Sequence, residues 1–263
     1  MKKAIISLLF AAATTAPALA GNIFDNLAYD LRVGYSIGGT APMGMPATIR
    51  SLDAYRPTSS YVLGLGAYKP LTRSWGLSTG LRLENKGMNI DATVKNYHMR
   101  ITQGGGGELE GVFTGTNHTE VTQWMLSLPL LATYWVSDKV SLKFGPYFSY
   151  VKAPTFKGHA SDGYLRVNPK SPGDEGYKPN DPTGDKMELG SVEGERGDYD
   201  FSDDLRHLQW GMMLGADWNF HKSWGVFADV SWGFTGIFKS SFTVLDQKLY
   251  PVYGTVGVSY KLR

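Results

Sequence analysis

LQWGMMLGADWNFHKSWGVFADVSWGF, Leu208 to Phe234, alternates in hydropathy at period two on either side of a short polar turn. Leu208, Trp210, Met212, Leu214, Ala216, Trp218 and Phe220 share one face, opposite Gln209, Gly211, Met213, Gly215, Asp217 and Asn219. After His221-Lys222-Ser223 the pattern restarts. Trp224, Val226, Ala228, Val230, Trp232 and Phe234 now stand opposite Gly225, Phe227, Asp229, Ser231 and Gly233. Alternation of this length is a strand signal, and two such runs across a tight turn make a hairpin. Aromatics close both ends of the apolar faces and smaller aliphatics fill the middle. Strands that meet acyl chains at mid-height and headgroups at their ends have this pattern.

Working outward, six more runs carry the same period: 29–37, 60–68, 75–84, 124–134, 140–150 and 250–262. With the hairpin they make eight strands. Their connections alternate between long (residues 40–58, 88–119, 152–204 and 235–249) and short (69–74, 137–139 and 221–223). Long loops on one side and tight turns on the other predict an all-β fold, an eight-stranded antiparallel up-and-down transmembrane barrel with long extracellular loops and short periplasmic turns. The stretch 88–119 reads as a hairpin continuing beyond the membrane around Gly104-Gly105-Gly106-Gly107. The stretch 152–204, with 12 acidic against 7 basic residues and no sustained period, reads as an exposed, partly disordered loop. Pro129 and Pro146 lack ladder donors, so a bulge or local twist is expected at each.

Period two alone does not say which face points inward; volume does. An eight-stranded barrel has an interior just wide enough to be filled by side chains. The apolar faces carry Trp, Tyr, Phe and Leu, whereas the opposite faces are dense in Gly and Ser, so only the second set fits inside. That interior then holds Asp30, Arg32, Arg82, Glu84, Lys143, Asp217, Asp229 and Lys261, four of each sign, expected to pair because an unpaired buried charge is strongly disfavoured. Trp75, Trp124, Trp210, Trp218, Trp224, Trp232 and Tyr260 fall on the outer face, where amphipathic rings are favoured at the two interfaces. Arg73-Ser74-Trp75-Gly76-Leu77 and Lys222-Ser223-Trp224-Gly225-Val226 form a weak repeat, each opening a strand after a short turn.

Composition narrows the classes further. Lys2 and Lys3, the apolar run Ala4–Ala13 and Ala18-Leu19-Ala20 read as a signal peptide over residues 1–20, leaving residues 21–263 as one barrel domain. Without Lys2 and Lys3 the 26 basic residues become 24, equal to the 24 acidic ones, and no basic run points to nucleic acid. The chain has no cysteine, which excludes disulfides and thiol chemistry. No cofactor is expected.

Candidate chemistry is sparse. Asp203, Asp204 and His207 stand where the sixth strand begins, and an Asp-His pair there could activate water; solvated side chains at a loop base are the favoured reading. His98, His118, His159, His207 and His221 fall in loops, turns or strand ends without a convincing partner, so no enzyme activity is expected. Asp181-Pro182-Thr183-Gly184-Asp185 and Asp198-Tyr199-Asp200 offer oxygen ligands, but neither has the spacing of a calcium loop. The glycine run 104–107 lacks the Lys-Ser/Thr of a phosphate loop and reads as a hairpin tip.

Several local motifs resemble the PorT-type outer-membrane β-barrel proteins of Bacteroidota, a group related in architecture to OmpX and to the OmpA membrane domain. They are Trp75-Gly76-Leu77-Ser78-Thr79-Gly80-Leu81 leading to Lys86-Gly87-Met88, then Leu128-Pro129-Leu130-Leu131, Gly145-Pro146-Tyr147 and Gly257-Val258-Ser259-Tyr260-Lys261-Leu262. The resemblance implies an outer-membrane location and a structural, surface-binding or assembly-accessory role, in its narrowest form a part in type IX protein secretion. The expected partners are outer-membrane lipids and lipopolysaccharide, the barrel-assembly machinery, and an envelope or surface protein reached by the long loops. A small channel and a surface hydrolase or lipid-modifying enzyme are the alternatives.

Overall fold

The structure, a computed structural model, describes residues 26–262 apart from 43, 45, 105, 246 and 247. The expected signal peptide, residues 1–20, lies outside the described residues, as does Gly105 of the glycine run. The strands are β1 (Ala28–Pro42), β2 (Ile49–Pro57), β3 (Ser60–Pro70), β4 (Trp75–Thr102), β5 (Glu108–Trp135) and β6 (Val140–Val167). They continue with β7 (Lys186–Leu189), β8 (Gly197–Asp200), β9 (Leu208–Trp218), β10 (Trp224–Gly233) and β11 (Leu249–Leu262).

Eight of them close a ring. β1 pairs with β3, β3 with β4, β4 with β5, β5 with β6, β6 with β9, β9 with β10, β10 with β11, and β11 with β1, every pair antiparallel. The opening hairpin has the register its alternation requires: Trp218 faces Val226, Leu214 faces Val230 and Gly211 faces Gly233. Residues of the two apolar faces are therefore neighbours on one side of the sheet. That side is the outside, with Leu214 58% exposed and Trp218 53%, while Asp229 on the other side is 3% exposed.

Two aromatic girdles bound this outer face. Toward the short turns, Trp75 packs against Tyr134 and Trp224 against Tyr260, each with ring centroids 4.9 Å apart. Trp218 is at the same end, against Phe220. At the other end Trp210 and Trp232 both meet Phe234, and Trp124 stands opposite Asn85 on β4. From Trp210 to Trp218 the strand climbs roughly 20 Å at a ~40° tilt, close to the ~25 Å apolar band of outer-membrane barrels. One polar group on this face, Thr79, donates its hydroxyl to the Pro129 carbonyl at 2.9 Å.

The prolines bring no bulge. The ladder lapses where Gly80 and Leu81 pass Leu128 and Pro129, and again where Leu130 and Leu131 pass Gly145 and Pro146, but the register on either side is unchanged. The β5–β6 shifts lie instead between Thr114 and Thr116 and between Trp124 and Met125. A missing donor costs a bond locally, and the packed rows on both sides still hold the register.

The long connections are more ordered than their composition indicates. β4, β5 and β6 each run 28 residues, far beyond the ~9–11 that cross a bilayer, so all three project from the barrel as one sheet. Residues 152–167, expected in a loop, continue β6. β7 pairs with β6 over 163–166, and β8 pairs with β6 over 157–160 and with β4 at Thr102. β2, within the first long connection, adds to the free edge of β4. Above the bilayer β4, β5, β6 and β8 thus form a second, narrower enclosure, here called the crown.

The crown has its own core. Met99, Ile101, Phe113, Phe156, Leu165, Leu189, Tyr199 and Phe201 are buried together with Leu205, Ile237, Phe238 and Val244. The acidic segment 152–204 therefore contributes short apolar alternations, Phe156 to Leu165, Met187 to Leu189 and Tyr199 to Phe201, whose burial outweighs its charge. Its acids face out, so a composition window that averages both faces reads it as disordered.

Candidate functional site

Two regions can carry function: the barrel interior and the crown. The interior begins with glycine. Gly66 stands opposite Asp30 and Gly215 opposite Asp229, and a Cβ at either position would overlap the carboxylate. Small residues on one strand thus make room for charged ones on its neighbour.

Arg32 is the hub. Its Nε donates to Asp30 at 2.6 Å, and its two terminal nitrogens hold Asp217 in a bidentate pair at 3.2 and 2.8 Å. Lys143 donates to the same Asp217 carboxylate. The Arg32 guanidinium lies over the Phe227 ring, 5.1 Å from its centroid, adding a cation–π contact. Arg82 and Asp229 form an ion pair at 2.8 Å, though neither Asp229 oxygen is aligned for a hydrogen bond. Higher up, Glu84 pairs with Lys86 at 3.0 Å and accepts from Ser127 Oγ at 2.8 Å.

Lys86 is an interior cation that the sequence reading missed, although extending the alternation past Arg82 and Glu84 would have found it. Lys261 is placed differently from the others. It is exposed, 5.9 Å from the centroid of the Trp135 ring, and makes no ion pair among the described residues. Arg32, Arg82, Lys86 and Lys143 then balance Asp30, Glu84, Asp217 and Asp229. Beneath them a cavity of about 260 Å³ opens toward the short turns, lined by Arg32, Lys143, Tyr68 and Trp135 among others. The Trp135 indole donates to the Tyr68 hydroxyl at 2.7 Å.

The crown gathers the remaining candidates. Asp203, Asp204 and His207 do not assemble. His207 Nδ1 donates to the Val151 carbonyl at 2.8 Å, and its ring stacks on Tyr150. The Asp203 and Asp204 backbone carbonyls both accept from Lys239. The two calcium candidates fare the same way. Asp198 pairs with Arg196 at 2.8 Å and Asp200 with Lys157 at 3.1 Å, while Asp181 accepts from the Thr183 amide and hydroxyl in a local turn. Tyr199 between them points into the core, where burial pushes its hydroxyl up to about 12. Its oxygen sits within 3.1 Å of Asn117, the His118 carbonyl and Thr119.

Three histidines gain partners the sequence did not disclose. His98 is buried with Nε2 2.9 Å from Glu110, which also accepts from Tyr177. His118 takes Asp91 on its Nδ1, and its ring stacks on that of His159 with centroids 4.9 Å apart. The hydrogen bond from His118 holds the Asp91 carboxyl below the usual carboxylate range, and burial lowers His159 from its ordinary value, assisted by Arg196 and His118. Asp91 and His159 are 68 positions apart in sequence, and with His118 they meet only through strand register. His221 lies in the turn between β9 and β10.

Compared with known proteins, residues 15–239 match the model of a family described as outer membrane protein beta-barrel domain. Among solved structures the chain is similar to Ail, the attachment invasion locus protein of Yersinia pestis, at 11% identity over 90% of this chain and 97% of that one, with a TM-score of 0.39. It is also similar to the outer membrane protein OprG from Pseudomonas aeruginosa, at 15% identity over 90% and 96%, with a TM-score of 0.35. The chain matches none of the curated proteins.

Proposed function

This chain belongs to the outer membrane protein beta-barrel domain family, and on that premise we propose that it is a non-enzymatic anchor whose crown is a binding surface for an envelope or surface protein. The observation that carries this reading is the contrast between the two regions. Four cations and four carboxylates fill the barrel interior, which favours a plug over a conduit. Above it, three strands continue well beyond membrane depth around a separate apolar core. Building and closing such an extension serves to hold a surface away from the bilayer. On this reading residues 1–20 direct export, residues 21–263 form the barrel domain, and the barrel-assembly machinery, outer-membrane lipids and lipopolysaccharide are its general partners.

The narrower form, a PorT-type accessory of type IX secretion, is supported by the motifs at Trp75–Leu81, Leu128–Leu131 and Gly145–Tyr147. A pull-down from native outer membrane tests both forms. The intact protein is compared with a crown-less barrel in which residues 90–117 and 154–204 are each replaced by a short turn. A partner captured by the first and lost from the second is the expected result, and secretion components among those captured would support the narrower form. A partner kept by the crown-less barrel, or none in either case, overturns the crown as a binding surface. In planar bilayers the purified protein should be silent; steady conductance would return the channel reading.

A further inference from the structure

The outer surface of the crown carries one row of side chains that no role above uses. Four residues stand directly opposite one another across four adjacent strands. Asp91 on β4 faces His118 on β5, His118 faces His159 on β6, and His159 faces Asp198 on β8. All four lie on the face away from the crown core, since their chain neighbours Ala92, Asn117, Ala160 and Tyr199 are buried. Directly opposed residues have Cβ atoms about 4.5–5.5 Å apart, which is why the two imidazoles stack. The next row down on the same face holds Glu120 opposite Lys157, and Lys157 opposite Asp200. The groove over this patch is open to solvent and is lined by His118, His159, Glu120 and Asp198 among others.

We propose that His118 and His159 form a surface site for a divalent transition-metal ion that prefers imidazole, Cu²⁺ or Zn²⁺, bound by one nitrogen from each ring. Asp91 orients the first ligand. Its carboxylate occupies His118 Nδ1, which fixes that nitrogen as the protonated one and leaves Nε2 with its lone pair free for a metal. A histidine that binds metal through one nitrogen commonly gives the other to a carboxylate, which sets the tautomer and strengthens the ligand. Asp91 is held in turn by Arg56, 2.9 Å away. The His159 ring makes no hydrogen bond among the described residues, so it is free to turn about its side-chain torsion and bring a nitrogen beside Nε2 of His118. Among the described residues no three His, Cys, Asp or Glu side chains already converge as a cage. The site is therefore an open, two-imidazole one, with water filling the remaining positions, in a groove where Glu120 and Asp198 are matched by Lys157 and Arg196. Imidazole suits Cu²⁺ and Zn²⁺, and for a given set of nitrogen and oxygen ligands Cu²⁺ binds more tightly.

The test titrates Cu²⁺ into the full mature chain refolded in detergent, read by calorimetry and by electron paramagnetic resonance. Folding of each variant is checked by its heat-dependent migration on a gel. The expected result is one equivalent of Cu²⁺ with two nitrogen donors, displaced by excess Zn²⁺. His118→Gln and His159→Gln should each remove one nitrogen from the spectrum. Asp91→Asn should keep both nitrogens while weakening binding about tenfold or more, the usual cost of losing such a supporting carboxylate. His207→Gln, away from the patch, should change nothing. No stoichiometric binding, a spectrum without a second nitrogen, or binding that survives both His118→Gln and His159→Gln overturns the proposal. None of these outcomes bears on whether the crown also holds a protein partner, so the two readings stand or fall separately.

Discussion

Asp217→Ala should cost the barrel about 3–5 kcal/mol, the penalty of leaving buried charge without its partner. Two cations depend on that carboxylate. Arg32 holds it through both terminal nitrogens and Lys143 donates to it, all three lying inside the barrel. The measurement is a reversible urea titration in lipid vesicles, followed by tryptophan fluorescence. Asp30 remains on Arg32 at 2.6 Å, so the guanidinium keeps one partner while Lys143 loses its ionic partner. Adding Lys143→Met to Asp217→Ala should therefore recover a substantial part of the loss. A single-variant effect below ~1 kcal/mol would show that water enters the lumen and screens the cluster, and the plug would cease to be an argument against conduction.

Leu214→Arg is expected to cost ~2–4 kcal/mol in the same assay, the range for a cation at the bilayer midplane of a barrel. Leu214 stands midway between Trp210 and Trp218, with Val230 opposite on one side and Phe144 on the other. It is 58% exposed, and both of its directly opposed neighbours are apolar. Val136→Arg, in a short turn beyond the lower girdle, serves as the depth control and should fall near 0–1 kcal/mol. Equal costs at both positions would contradict the depth assigned to Leu214.

The eight membrane strands were legible because each must alternate strictly. One face meets acyl chains and the other a narrow interior, so Trp218, Leu214 and Val230 could not exchange faces with Gly215 and Asp229. The inside–outside assignment followed from volume alone. Most of the interior charges were legible, and their partners were not. Lys86 took the place given to Lys261, because pairing depends on height in the barrel and Lys261 lies at the rim, beside Trp135.

What the sequence by itself determined is the local rule: where the chain is extended, which face of each membrane strand is apolar, and where the tight turns fall. These depend on neighbours two residues apart, and a linear pattern records them directly. Tertiary structure decided the crown. The hairpin of 88–119 was legible and continues β4 and β5, but the pieces that 152–204 adds are too short and too charged to declare themselves, and they order only because Phe156, Leu165, Leu189, Tyr199 and Phe201 reach a core shared with β4, β5 and the 235–249 connection. It also decided which distant residues became neighbours. Asp91, His118, His159 and Asp198 form a row solely through register, and register is fixed by the packing of whole sheets, to which no window of adjacent residues has access.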